Sequence, residues 1–398
     1  MDPRRNPFSP GAGTQPPELA GRDDILERAS IALDRIRAGR AARSHLFYGL
    51  RGVGKTVLLK KIKVEADAGG HSTVWIEAPE ERSLPGLLVP ALRAGLLRLS
   101  RGEAVKAKLG VALQVLAGFA GALKFKYQDI SLGMDYQALK GVGDSGDLEL
   151  DLVDLLRAVG EAARERDTSF VLFIDELQYV PEKQLAALIS ALHQIGQDNL
   201  PVTLVGAGLP QLLGMTGRAK SYAERLFEFV LIDRLDAAAA RLALARPVQD
   251  EGETIDDEAI DEILARTERY PYFLQEWGKH SWNLADASPI DCDDARRATV
   301  SALAELDASF FRVRFDRLTP AERSYMRAMA ELGPGPHRSG DIASALGKKV
   351  STVAPLRNGL ILKGMIYSPG HGDTAFTVPL FDGFMKRVMP ADDRPPNP

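Results

Sequence analysis

The chain has 398 residues, 45% of them apolar and 26% charged, with a formal net charge of −4 and a single cysteine. That length and apolar content can build two or three hydrophobic cores and exclude a fibrous or wholly disordered protein. A lone Cys292 excludes an internal disulfide, no Cys/His cluster has zinc-ligand spacing, and a reducing cytoplasmic setting is the expectation.

Residues 1–17, rich in Pro, Gly and polar residues, are expected to be a flexible arm, and they lack the apolar stretch of an export signal. The longest mostly apolar run, residues 111–123, is too short to span a bilayer, so no membrane association is expected. PPELAGRDDILERASIALDRI reads as an amphipathic helix capped by Asp23 or Asp24, with Ile25, Leu26, Ile31, Leu33 and Ile36 on one stripe.

A short buried strand is expected over residues 44–49, SHLFYG, and a helix over residues 56–66. Between them GLRGVGKT fits G-x-x-x-x-G-K-[ST], a loop whose backbone N–H groups wrap nucleotide phosphates. Gly49, Leu50, Arg51, Gly52, Val53, Gly54, Lys55 and Thr56 would form that cradle. The glycines admit close approach of the backbone, Lys55 reaches the terminal phosphates as a point charge, and Thr56 offers a hydroxyl to Mg²⁺, so a Mg²⁺-bound nucleotide is the expected ligand.

STVWIEAPE reads as a second strand and SLPGLLVPALRAGLLRLS as a Pro-punctuated helix; residues 103–123 are a small-residue helix and LKFKYQDISLGMDY a hairpin insert. SFVLFIDELQYV is an apolar strand ending in Asp175 and Glu176. Acidic strand ends are common, but after a P-loop this one places Asp175 beside Mg²⁺ and Glu176 where it polarises the attacking water, with Gln178 a weaker polar candidate. A helix, PEKQLAALISALHQIGQ, then leads to PVTLVGAGLP, a further buried strand, and RAKSYAERLFEFVLIDRL holds a helix and a last short strand. Residues 236–306 have helical spacing throughout.

The composition then changes. Residues 312–390 carry 12 Lys or Arg against 6 Asp or Glu, a basic module on an otherwise acidic chain. Three helices followed by two strands around a Gly-rich turn spell a winged helix-turn-helix, whose third helix would enter a DNA major groove. Candidate contacts are Lys348, Lys349, Ser351, Thr352, Arg357, Asn358 and Lys363, with His371 on the wing; Pro355 implies that the third helix starts later than Ser351. Many winged helices bind proteins instead, so that reading stays open.

PPELAGRDDIL, GLRGVGKT, FVLFIDE, PVTLVGAGLP and ERYPYFLQEWG together resemble the AAA+ ATPases, in particular bacterial ATP-binding proteins akin to origin-recognition initiators and archaeal-type ATPases. The resemblance runs from residue 18 to 389. It implies an α/β P-loop NTPase core over 18–235, a helical lid over 236–308, a winged helix over 309–389 and a disordered tail over 390–398. AAA+ proteins usually carry a polar sensor at the end of the fourth core strand, where LVGAG stands with only Thr203 and Gln211 polar nearby, and an arginine in the lid, where residues 270–273 supply none. Slow hydrolysis is therefore expected. The family's finger arginine, acting from a neighbouring copy in a homo-oligomer, would be Arg225 or Arg218. The expected activity is an ATP-hydrolysing switch that moves a DNA-contacting winged helix; the alternative is a STAND-like signalling or scaffold ATPase whose winged helix binds proteins.

Overall fold

Short apolar runs bounded by Gly, Pro and polar residues become β1 (Ser44–Tyr48), β2 (Ser72–Glu77), β3 (Phe170–Asp175), β4 (Val202–Gly208) and β5 (Phe227–Leu231). They belong to a computed structural model that describes residues 1–11, 13–99, 107–124, 126–130 and 136–390. The chain divides into two units: Arg22–Gly49 with Lys55–Ile232, and Met1–Gly21 with Leu50–Gly54 and Asp233–Pro398.

In the first of these units the five strands are parallel, in the order β2-β3-β4-β1-β5. A sheet covered on both faces calls for consecutive apolar residues, and β3 and β4 are buried throughout. β1 lies between two strands that come later in the chain, while the chain leaves it for the far edge at β2. That reversal marks the place where open α/β sheets take ligands, beyond the C-terminal strand ends.

The covering helices are α1 (Asp23–Arg37), α2 (Lys55–Ala68), α3 (Leu84–Leu99), α4 (Ala107–Leu123), α5 (Leu148–Glu165), α6 (Glu182–Gln197), α7 (Gln211–Ala219) and the short α8 (Ala223–Leu226). Asp23 and Asp24 do not cap α1: Arg22 holds that position with no side-chain bond, and both aspartates lie in the first turn, where they offset the positive helix end. The apolar run at 111–123 lies in α4, which buries Leu109, Leu113, Leu116 and Phe119 and packs against α3 and α5. No described helix is long and apolar enough to cross a membrane. The expected hairpin insert falls partly on residues 125 and 131–135, outside the described residues; no strand occurs in its described part.

In the other unit α9 (Ala237–Asp250), α10 (Asp257–Thr267), α11 (Pro271–Leu284) and α12 (Cys292–Ala308) pack around Phe273, Leu274, Trp277 and Trp282. Residues 1–8 are not a free arm. Trp282 Nε1 donates to the Asp2 carbonyl at 2.9 Å, and Asn6 Nδ2 donates to the Lys279 carbonyl at 2.9 Å and Asn283 Oδ1 at 2.8 Å. Phe8 is 4% exposed because α11 carries glycine at 278: a Cβ there would lie 2.6 Å from the Phe8 ring. A segment with a single aromatic anchor stays ordered when a glycine notch receives that ring.

The same unit continues with α13 (Phe310–Asp316), α14 (Pro320–Glu331), β6 (His337–Arg338), α15 (Ser339–Ala345), α16 (Val350–Leu362), β7 (Ile366–Tyr367), β8 (Asp373–Phe376) and α17 (Phe381–Val388). A capping box between Thr319 and Glu322 opens α14. The strands form an antiparallel sheet in the order β6-β8-β7, and α15, a tight turn and α16 precede the β7–β8 hairpin, the order of a winged helix-turn-helix. Pro355 does not delay α16, which starts at Val350 and carries the proline inside it. Of the tail expected over 390–398, residues 391–398 lie outside the described residues. Tyr272 stacks on Phe310 with ring centroids 4.7 Å apart, Phe310 meets Phe311 at 5.4 Å and Phe311 meets Phe384 at 5.3 Å, so α11, α13 and α17 share one aromatic core.

Truncating Phe8 empties the notch over Gly278. Phe8→Ala is expected to cost about 3 kcal/mol of stability in the unit that holds Trp277 and Trp282. Arg4→Ala, whose side chain is exposed and pairs only locally with Asp2, is expected to cost nothing measurable. Urea unfolding followed by tryptophan fluorescence checks both; equal midpoints for the two variants would mean that residues 1–8 are not held.

Candidate functional site

The glycine-rich loop begins where β1 ends, with the Gly49 N–H donating to the Gly208 carbonyl at 3.3 Å. Gly52 and Gly54 have φ of +85° and +92°, left-handed backbone that side-chain-bearing residues rarely adopt. Gly52 is restricted twice, because a Cβ there would also lie 3.1 Å from Tyr272 Cβ. Lys55 and Thr56 then open α2, placing the first-turn N–H groups and the positive end of the helix at the loop.

Lys55 is 8% exposed, and its Nζ donates to the Gly49 carbonyl at 2.9 Å. Thr56 Oγ1 donates to Asp175 Oδ2 at 2.6 Å. Asp175 ends β3 and is 2% exposed; burial pushes its carboxyl above the usual range, and the Thr56 hydroxyl pulls the other way. Glu176 follows with left-handed backbone, φ 56°, and its N–H donates to Asp175 Oδ1 at 2.9 Å. Its carboxylate Oε2 accepts from Gln178 Nε2. A cation, a hydroxyl and two carboxylates thus meet at the C-terminal end of the sheet, which is what binding and hydrolysing a Mg²⁺-bound polyphosphate requires.

Residues Leu50–Gly54 make a second set of contacts. The Arg51 N–H donates to the Thr377 carbonyl at 3.2 Å and Arg51 Nε to the Gly364 carbonyl at 3.4 Å. The Tyr272 N–H, in the first turn of α11, finds the Gly52 carbonyl at 3.1 Å. Nothing in the spacing of GLRGVGKT signals these bonds, because their partners lie more than 200 residues away.

The other expected site residues separate. Arg218 Nε lies 3.1 Å from Glu182 Oε2, and Arg225 is exposed on α8. Lys348, Lys349, Ser351, Thr352, Asn358 and His371 are exposed. Arg357 and Lys363 have internal work. Arg357 donates to Thr374 Oγ1 at 2.8 Å and to Ser368 Oγ and the Asp373 carbonyl at 2.9 Å, fastening α16 to the hairpin. Lys363 Nζ donates to Glu322 Oε2 at 2.7 Å and the Arg317 carbonyl at 3.1 Å.

Sequence spacing also missed a cluster of Glu276 and His280 on α11 with Glu305 on α12, their ligand atoms within 4.8 Å of one another. Lys279 Nζ lies 2.6 Å from Glu305 Oε1 and 3.7 Å from Glu276 Oε2, so the cluster already contains its cation.

Residues 18–205 match the AAA ATPase domain family, and residues 308–385 match DUF8462, a domain of unknown function. An uncharacterized HTH-type transcriptional regulator of Methanocaldococcus jannaschii is 23% identical over 379 residues, covering 90% of this chain and 86% of the relative. The Walker-type ATPase of Pyrococcus abyssi superposes with a TM-score of 0.56 at 16% identity, over 95% of this chain and 99% of that one. The ORC1 protein of Aeropyrum pernix in complex with DNA superposes over 96% of each chain at 16% identity, with a TM-score of 0.47 that is too low to bear on function. The loop at the end of β1, the Asp-Glu end of β3 and the 2-3-4-1-5 sheet agree with the match of residues 18–205 to the AAA ATPase domain family, and the resemblance to the AAA+ ATPases holds.

Proposed function

We propose that the chain is an ATP-binding and ATP-hydrolysing switch whose nucleotide state is passed to the C-terminal helix-turn-helix, and that this module contacts DNA. The observation that supports the coupling is Arg51, a P-loop residue whose N–H and Nε both donate to carbonyls of the C-terminal module, at Thr377 and Gly364. A loop that changes shape around phosphates cannot do so without loading those bonds.

At the site, Lys55 places its charge on the terminal phosphates. Thr56 Oγ1 and the Asp175 carboxylate are hard oxygen donors already 2.6 Å apart, a donor set that fits Mg²⁺, and these two residues would hold it. Mg²⁺ supplies neutralisation of phosphate charge. Glu176 orients and polarises the attacking water. No side chain at the end of β4 offers a polar group to the terminal phosphate, so turnover is slow and the bound state itself is the output. Exposed Arg225 remains the candidate finger if copies of the chain assemble.

For DNA, the first turn of α16 presents Ser351 and Thr352 next to Lys348 and Lys349, with His371 on the hairpin turn. The relative named as an HTH-type regulator supports the same reading. A second reading is favoured by two aliphatic side chains that α16 leaves in water, Val350 at 47% and Leu362 at 76% exposure: the helix would then dock on a protein, as in a STAND-like signalling ATPase.

With ATP at about 100 times its Kd, binding adds about 2.7 kcal/mol of stability. Lys55→Ala is expected to lose that gain in a thermal-shift assay, and Glu176→Gln to keep it while turnover falls by roughly 10²-fold or more. Turnover at the wild-type rate in Glu176→Gln would remove Glu176 from the chemistry.

DNA binding is expected to weaken steeply between 50 and 200 mM salt, and Lys348→Ala with Lys349→Ala is expected to lower the salt slope by about 2. A mobility shift indifferent to both salt and substitution would reject DNA and leave the protein-docking reading.

A further inference from the structure

The carboxamide of Gln178 is 8% exposed, and both its ends are used. Its Oε1 accepts the backbone N–H of Leu209 at 2.9 Å, and its Nε2 donates to Glu176 Oε2. Chemistry sets that orientation, since a backbone N–H can only donate and a carboxylate can only accept. Gln178 sits in the 3-10 turn Leu177–Tyr179, directly after the left-handed Glu176.

β4 is shaped to receive this turn. A Cβ on Gly208 would lie 2.8 Å from Gln178 Oε1 and 3.0 Å from Leu212 Cδ2, and a Cβ on Gly206 would lie 2.4 Å from Leu177 Cδ1 and 2.8 Å from Leu46 Cδ2. LVGAG, which reads in the sequence as a strand lacking a polar sensor, is the socket for the residues that follow Glu176.

We infer that Gln178 is the positioning residue for Glu176: it takes the place at the end of β4 of the polar side chain that β4 lacks, holds carboxylate Oε2, and presents Oε1 to the attacking water. It also ties that carboxylate to the backbone at Leu209, two residues before α7, so a shift of the β4 end turns the carboxylate. The inference rests on Glu176 as the water-polarising group. Gln178 acts through Glu176.

Gln178→Glu separates positioning from packing. It keeps the length of the side chain and the acceptor for the Leu209 N–H, but sets a second carboxylate oxygen against Glu176. A packing role survives this change and a positioning role does not. In the full chain, kcat for ATP hydrolysis is expected to fall roughly 10²-fold, with KM and nucleotide affinity unchanged within about twofold. Gly208→Ala, which crowds Oε1 from the other side, is expected to lower kcat alone as well. Because both act through one side chain, the double variant loses no more than the worse single variant.

Wild-type kcat in Gln178→Glu overturns the inference, as does affinity falling in step with kcat, or full additivity with Gly208→Ala. Glu176→Gln serves as the reference. Turnover lost there but kept in Gln178→Glu rejects the positioning role alone; turnover kept in Glu176→Gln rejects the Glu176 reading and this inference with it.

Discussion

One hydrogen bond, from Thr56 Oγ1 to Asp175 Oδ2 at 2.6 Å, ties the start of α2 to the end of β3. It joins the chain that leaves β1 to the last residue of β3, although β4 separates the two strands and neighbouring strands stand about 4.8 Å apart. The 2-3-4-1-5 order sets both groups at the C-terminal end of the sheet, two strands apart. The bond also answers a problem of its own location. Asp175 is almost wholly buried, and a buried carboxylate without donors is costly; Thr56 Oγ1 and the Glu176 N–H supply one to each oxygen.

The unit built from the chain ends relies on other means. Its contacts at Leu50–Gly54 include backbone bonds from Arg51 and to Gly52 and one from the Arg51 side chain, and beyond them lies a run of aromatic rings from Tyr272 through Phe310 and Phe311 to Phe384. Arg314 lies over the Phe310 ring at 3.8 Å, adding a cation–π contact to the same run. Close-packed rings have few intermediate arrangements, so such a core moves between discrete states or not at all. That property is consistent with the switch proposed above.

The sequence was readable where meaning is local. GLRGVGKT carries its residue types at fixed offsets, and FVLFIDE carries both its burial and its charge in seven consecutive residues. Reading failed where the partner is distant or where a residue works by absence. Phe8 and Asp2 meet Gly278 and Trp282 some 270 to 280 positions away, so residues 1–8 look structureless in isolation. Gly206 and Gly208 look like a missing sensor because their task, leaving space for Leu177 and Gln178, has no side chain to show it. The internal partners of Arg357 and Lys363, Thr374 and Glu322, were likewise hidden, because charge is visible in a sequence and distant acceptors are not.

The docking of residues 1–8 on α11 has a consequence for synthesis. Asp2 and Phe8 are synthesised roughly 270 residues ahead of their partners Trp282 and Gly278, at a translation rate of about 5–20 residues per second. Residues 22–232, apart from the short Leu50–Gly54 stretch, form their own unit and can close while the first segment still waits. For some tens of seconds Phe8 is an exposed aromatic with no notch to enter, and it is buried only after α11 has been made.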